Sequence, residues 1–219
     1  MSGAIIILAL VVLAFLPAAL AVFWFRHRKL AMPLHFVLIF LASGVLSMIL
    51  ALVVQSGLPQ NDSYSFSRWT VFIDLFLRIS LTEEGAKLLF LLGIFALIRR
   101  FSRNIVIFEG FAAGAGLLAG FAFAAVESAV YAAADSSVVL LRMISAVPLH
   151  GACGIRCGLA ASGFASKPRS ALGRFTSAIV LHSFYDFLLP LGGFRAALGI
   201  LLALVALVSS AQSIRPSEL

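Results

Sequence analysis

Apolar runs of about 20 residues recur along the chain, parted by short polar stretches, and this blockwise pattern predicts helices long enough to cross a bilayer. Seven such segments fall near residues 3–25, 33–54, 69–98, 107–132, 138–163, 174–192 and 194–212. The third is longer than one crossing needs and carries Asp74 and Arg78, so its first turns are expected along the interface. The sixth and seventh are separated only by Leu191-Gly192-Gly193, a tight turn after Pro190. The expected fold is therefore all-α, a polytopic bundle of about seven transmembrane helices forming a single domain over 1–219.

Composition agrees: 62% of the residues are hydrophobic and 11% charged, with a mean hydropathy of +1.11. A soluble domain of this length has no interior large enough to hide so much apolar surface. The net charge of +7 is explained by where it lies. Arg26, Arg28, Lys29, Arg99, Arg100, Arg103, Lys167, Arg169, Arg174 and Arg215 all fall on one side of a seven-span arrangement, and only Arg68 and Arg195 on the other. Basic loops stay cytoplasmic, so the N-terminus is expected outside and the C-terminus inside, with the 55–67 loop and the short 133–137 turn outside. The charge is topological and implies no nucleic acid. Ala19-Leu20-Ala21 is similar to a signal-peptidase site, but positive charge follows the first apolar segment instead of preceding it, so a retained span is expected. Asn61-Asp62-Ser63 fits a glycosylation acceptor in form.

Against this apolar background stand four acid/base clusters: Glu83-Glu84-Gly85-Ala86-Lys87, the Phe123 to Glu127 run, His150, and His182-Ser183-Phe184-Tyr185-Asp186. Ionisable groups at bilayer depth cost several kcal/mol or more and mark reaction or transport sites. Lys87 follows Glu83 by four residues and Glu84 by three, so it reaches either carboxylate. The two acids point about 100° apart around a helix, so one can be tied to Lys87 while the other faces a cavity as a general base. Glu127 has no other polar side chain in the run before it, and Arg142 or Asp135 are its nearest partners in sequence. Pro148, two residues before His150, should kink the fifth span and admit water beside the imidazole. His182 and Asp186 share a helix face, and the carboxylate there can orient the ring, act as a ligand, or help bind an oxyanion.

Two other patterns have plainer readings. The Gly114 to Ala119 run matches a dinucleotide fingerprint in form, but no strand precedes it. Gly110/Gly114, Gly116/Gly120 and Gly154/Gly158 are better read as small residues that let helices approach, which places the fourth and fifth spans at the centre. Cys153 and Cys157, on the face of His150, are read as small packing groups rather than metal ligands.

Together, Glu83-Glu84-x-x-Lys87, Phe123-x-x-x-Glu127, Arg142…Pro148-x-His150-x-x-x-Gly154 and His182-x-x-Tyr185-Asp186-Phe187 resemble, in order and spacing, the PrsW intramembrane proteases, distant relatives of the CAAX-processing and bacteriocin-processing membrane endopeptidases. The likeness runs from Glu83 to Phe187, within a core of about 69–192. It implies an endopeptidase that cuts single-pass membrane proteins, anti-sigma factors being the best-known targets, in a bacterial plasma membrane. It also implies Glu83, Glu84, Glu127, His150 and His182 as active-site residues, beside Asp186 and a supporting Lys87. Ser128 departs from the family's common Asn after the motif glutamate. The CAAX branch has an Arg one residue later than Lys87 and a His in place of Glu127, which disfavours a prenylated substrate.

Two mechanisms fit these residues. Glu127, His150 and His182 form the two-His, one-carboxylate set of a catalytic zinc, with Glu83 or Glu84 taking the water's proton. Alternatively, without a metal, Glu83 or Glu84 with His150 activates water while His182 and Asp186 stabilise the oxyanion. The first is the expected one. Counting along the spans, Glu83, Glu127 and His182 lie at or outward of the midplane, which points to scission in the outer half of the membrane. An ion-coupled transporter and a catalytically inactive scaffold are the competing functions.

Overall fold

The computed structural model describes residues 3–28, 30, 32–58, 67–101, 106–135 and 138–215, with side chains from 12 onward except at 133 and 134. Lys29, Arg103, the Asn61-Asp62-Ser63 tripeptide and most of the two expected external loops lie outside the described residues. Helix α1 spans Gly3–His27 and α2 Leu34–Gly57. Helix α3 (Arg68–Asp74) continues through a π-helical stretch, Leu75–Ser80, into α4 (Leu81–Phe101). There follow α5 (Glu109–Ala134), α6 (Val138–Ile144), α7 (Ala146–Gly163), α8 (Pro168–Leu188), a 3-10 turn at Leu189–Leu191, and α9 (Gly193–Ala211). No strand occurs among the described residues. Taking α3–α4 and α6–α7 as one rod each, the described residues form seven helical rods where seven spans are expected.

Four of them, α2, α5, α6–α7 and α9, are long and apolar enough to cross a membrane by length and composition. The α3–α4 and α8 rods are more polar because they carry the ionisable clusters. The chain is an integral membrane protein. From Arg68 to Phe101 the third rod runs ~50 Å, beyond the ~30 Å of a hydrocarbon core, so part of it must project past the lipid tails. Asp74 and Arg78 pair at 3.7 Å within it.

Local sequence explains the breaks. Pro148 has no N–H for the Ile144 carbonyl, and its ring crowds that same group. The fifth span accordingly stops at Ile144 and restarts at Ala146, with Ser145 at φ −121°, ψ −69° between them. The Ser145 hydroxyl donates to the Leu141 carbonyl at 2.7 Å, satisfying one group the break exposes. Helix α8 starts at Pro168, six residues ahead of the sequence expectation. Proline is suited to a first helical position, where no N–H is needed, and Lys167, Arg169 and Arg174 alone had suggested loop. Gly192 and Gly193 turn the chain into α9 at φ 67° and 54°, a region open to glycine.

The centre of the bundle is the α5–α7 pair, as the small residues foretell. A Cβ on Gly116 would overlap the Gly154 carbonyl, one on Gly154 the Gly116 carbonyl, and one on Gly158 the Ala112 carbonyl. Gly120 likewise admits the His150 carbonyl, so a backbone contact fixes the height of that histidine. Gly110 and Gly114 serve other partners: the former faces the Arg215 carbonyl, the latter the Leu30 and Phe25 side chains. Helix α1 joins the same core through Ala18, Ala21 and Phe25. The apolar outer faces of α2 and α9, with Leu38, Val53, Leu201 and Val208 among them, are exposed to the surroundings, as suits lipid contact.

Candidate active site

Glu83 and Glu84 sit in the first turn of α4, just after the π-helical stretch. Such segments recur at functional sites. Their roles separate at once. Glu84 is wholly buried and saturated by donors: the Lys87 ammonium at 2.7 Å and His182 Nδ1 at 2.7 Å both reach Oε1, and the Cys157 thiol reaches Oε2 at 3.5 Å. Lys87 also lies over the Phe123 ring, 3.8 Å from its centroid. Glu83 faces a cavity of about 340 Å³. Its Oε1 accepts from the Gln55 side-chain amide at 3.2 Å, while its buried Oε2 has no hydrogen-bond partner.

His150, set by the restart of α7, is buried against Phe123 of α5, with ring centroids 5.0 Å apart. Lys87 donates to its Nδ1 at 3.0 Å. The ring proton therefore stands on Nε2, which donates to Glu127 Oε2 at 2.7 Å. Arg142, on the short helix before the break, reaches the same Glu127 oxygen at 2.5 Å, donates to Ser128 Oγ at 3.1 Å, and covers the Tyr131 ring at 4.2 Å. Glu127 thus has the cation a carboxylate at that depth requires. Ser128, the departure from the family pattern, is part of the same arrangement.

His182 stands edge-on to His150, their ring centroids 5.0 Å apart at 89°. Its Nδ1–H donates to Glu84, and its Nε2 faces Asp186 Oδ2 at 3.3 Å and Glu83 Oε2 at 3.8 Å. Two carboxylate oxygens converge on this nitrogen, and such a cluster needs positive charge among them, from the imidazolium itself or from a metal ion. Among the described residues Glu83, His150 and His182 offer ligand atoms that all lie within 4.8 Å of one another. The cavity above them is also lined by Tyr131, Arg142, Tyr185, Asp186 and Pro190.

The PrsW-protease family model, described as the PrsW family of intramembrane metalloproteases, matches residues 32–211. This chain belongs to that family. Curated proteins and solved structures give no match. This PrsW-family chain is therefore an intramembrane protease acting on a membrane-protein substrate within a lipid environment. The carrier and inactive-scaffold readings lose their ground, since the family is proteolytic and its polar residues are assembled.

All six expected site residues lie within one network of direct contacts: Glu83, Glu84, Glu127, His150, His182 and Asp186, with Lys87 bridging Glu84 and His150. The set that comes closest to a metal-binding triad contains Glu83. Glu127, expected among the ligands, is bound to Arg142 and His150. The donor chemistry fits a metal. His182 turns Nε2 toward the cavity with a carboxylate behind its other nitrogen, the usual support of a metal-bound imidazole, and Glu83 Oε2 has no hydrogen-bond partner. His150 would join such a set as the neutral ring with its proton moved from Nε2 to Nδ1, which leaves the Nε2 lone pair for the metal. Gln55 was missed in the sequence. It ends the apolar Ala51-Leu52-Val53-Val54 run, where a lone amide reads as the start of a loop.

Proposed function

We propose that this protein is a zinc-dependent endopeptidase that cuts single-pass membrane proteins in the outer half of a bacterial plasma membrane, its N-terminus outside and C-terminus cytoplasmic. The observation carrying the proposal is the convergence of His182 Nε2, Glu83 Oε2 and His150 beneath a cavity (about 340 Å³) lined by polar groups. Glu83, His150 and His182 would hold the metal, which when bound polarises the scissile carbonyl and eases deprotonation of water.

The rest falls to the chain's own groups. Glu84 holds His182 by its Nδ1–H, and Lys87, packed beside the His150 ring, neutralises Glu84. Glu127 is the carboxylate left on the cavity wall beside His150, and it accepts the water's proton and returns it to the leaving amine. Arg142 keeps Glu127 in place. Asp186, at the outer lip, positions substrate backbone N–H groups as an acceptor. Anti-sigma-factor-like proteins are the substrate class that the family resemblance supports.

The test is reconstitution of the purified protein in liposomes with single-pass peptides, with metal content measured by elemental analysis. Wild type should cleave and carry one zinc per chain; Glu84→Gln and His182→Ala should not cleave. Cleavage persisting in both variants would remove this site from the reaction.

A further inference from the structure

Resting on the reading of Glu83 as a metal ligand, we infer that Gln55 is the positioning residue for that carboxylate, contributed by a helix that carries none of the recognised motifs. Helix α2 presents mostly apolar side chains, and Gln55 stands in its last turn, half-buried and on the cavity wall. Its amide nitrogen is 3.2 Å from Glu83 Oε1. Glu83 is otherwise poorly held. Oε2 has no hydrogen-bond partner, and the ammonium one turn away, Lys87, is committed to Glu84 and His150.

One donor on one oxygen of a carboxylate does two things. It fixes the rotation of the group about its terminal bond, which is otherwise broad, and it leaves the other oxygen for the cation. With Oε1 turned to Gln55, Oε2 is the oxygen that faces His182 Nε2 at 3.8 Å. Glutamine supplies this donor without bringing a second cation into the site. A hydrocarbon of the same length would fill the space and leave the carboxylate free to rotate away.

The experiment compares wild type, Gln55→Met, Gln55→Lys and Glu83→Gln in proteoliposomes, measuring kcat, KM and zinc affinity by competition with a fluorescent chelator. Methionine keeps the length and removes the donor; lysine restores one. Loss of an outer partner of a metal ligand commonly weakens metal affinity or activity roughly 10- to 100-fold. Gln55→Met should therefore lower kcat and zinc affinity by about that factor, with KM within about twofold of wild type. Gln55→Lys should recover part of the loss. If Glu83→Gln is inactive yet Gln55→Met matches wild type in both readouts, or loses activity only in proportion to the unfolded fraction, the Gln55 role is overturned and the active-site reading stands. If Glu83→Gln itself cleaves and binds zinc like wild type, the active-site reading falls and this inference with it.

Discussion

At the scale of single residues, three glutamates of one type have been given different jobs by their neighbours. Glu84 is enclosed and anchors both Lys87 and His182, so it acts through them and through the fold. Removing its charge strands a fully buried ammonium, which typically costs about 3–5 kcal/mol. Glu84→Gln should therefore show a clear fall in thermal midpoint in detergent. Glu83→Gln, whose Oε2 already lacks a partner, should leave that midpoint nearly unchanged. A second contrast separates ligand from base. Glu83→Gln should lose zinc affinity, whereas Glu127→Gln should keep it and lower kcat by roughly 10²- to 10⁴-fold, the usual contribution of a general base. Should Glu127→Gln empty the site of zinc while Glu83→Gln stays loaded, the two roles assigned to these carboxylates must be exchanged.

Elements translate these side chains into a site through two devices, a tight helix pair and a broken helix. The α5–α7 contact is backbone against backbone at Gly116 and Gly154, so a side chain there must push the helices apart and with them Glu127 and His150. Gly154→Val should destabilise the protein by about 1–3 kcal/mol and abolish cleavage. Gly173→Ala on α8, where a Cβ meets nothing within 4 Å, should be neutral or slightly stabilising. Thermal melts and peptide cleavage on the same samples check both. The break at Ser145 turns α6 so that Arg142 reaches Glu127. Pro148→Ala restores the missing donor and should favour a continuous helix, lowering kcat without loss of stability. The sequence shows both devices because each depends on local chemistry: glycine spacing and a proline ring can be read in place. Which carboxylate would face the metal was not readable. Glu83 and Glu84 are neighbours, and their assignment rests on Gln55, Cys157 and His182, which come from three other helices 28, 73 and 98 residues away.

For the molecule as a whole, charge placement and site depth make one connected expectation. Arg26 and Arg28 close α1, Arg99 and Arg100 close α4, Lys167, Arg169 and Arg174 lie at the start of α8, and Arg215 follows α9, and a basic end should face the cytoplasm. The native thiols, Cys153 and Cys157, are buried, so single cysteines introduced at Arg28 or Arg215 should react only with reagents that enter the cell, and one at Arg68 with impermeant reagents. The reacting groups lie toward the opposite ends. Glu127 is followed by seven residues before α5 ends at Ala134, and His182 by six before α8 ends at Leu188, distances of roughly 10 Å along each axis. The hydrocarbon is ~30 Å thick, ~15 Å to its midplane, so with the proposed orientation the cavity would open within the outer leaflet's share of it. A peptide carbonyl can reach Glu83 and His182 only if the substrate helix unwinds there, because a helical backbone keeps its carbonyls bonded internally. Cleavage should therefore fall within about two or three turns of the substrate's outer membrane boundary, and a helix-breaking Gly-Pro pair at that depth should raise kcat/KM, whereas the same pair one span-half deeper should not. Mass spectrometry of the products locates the cut, and a scissile bond near the basic, cytoplasmic end would contradict both the orientation and the depth argued from these residues.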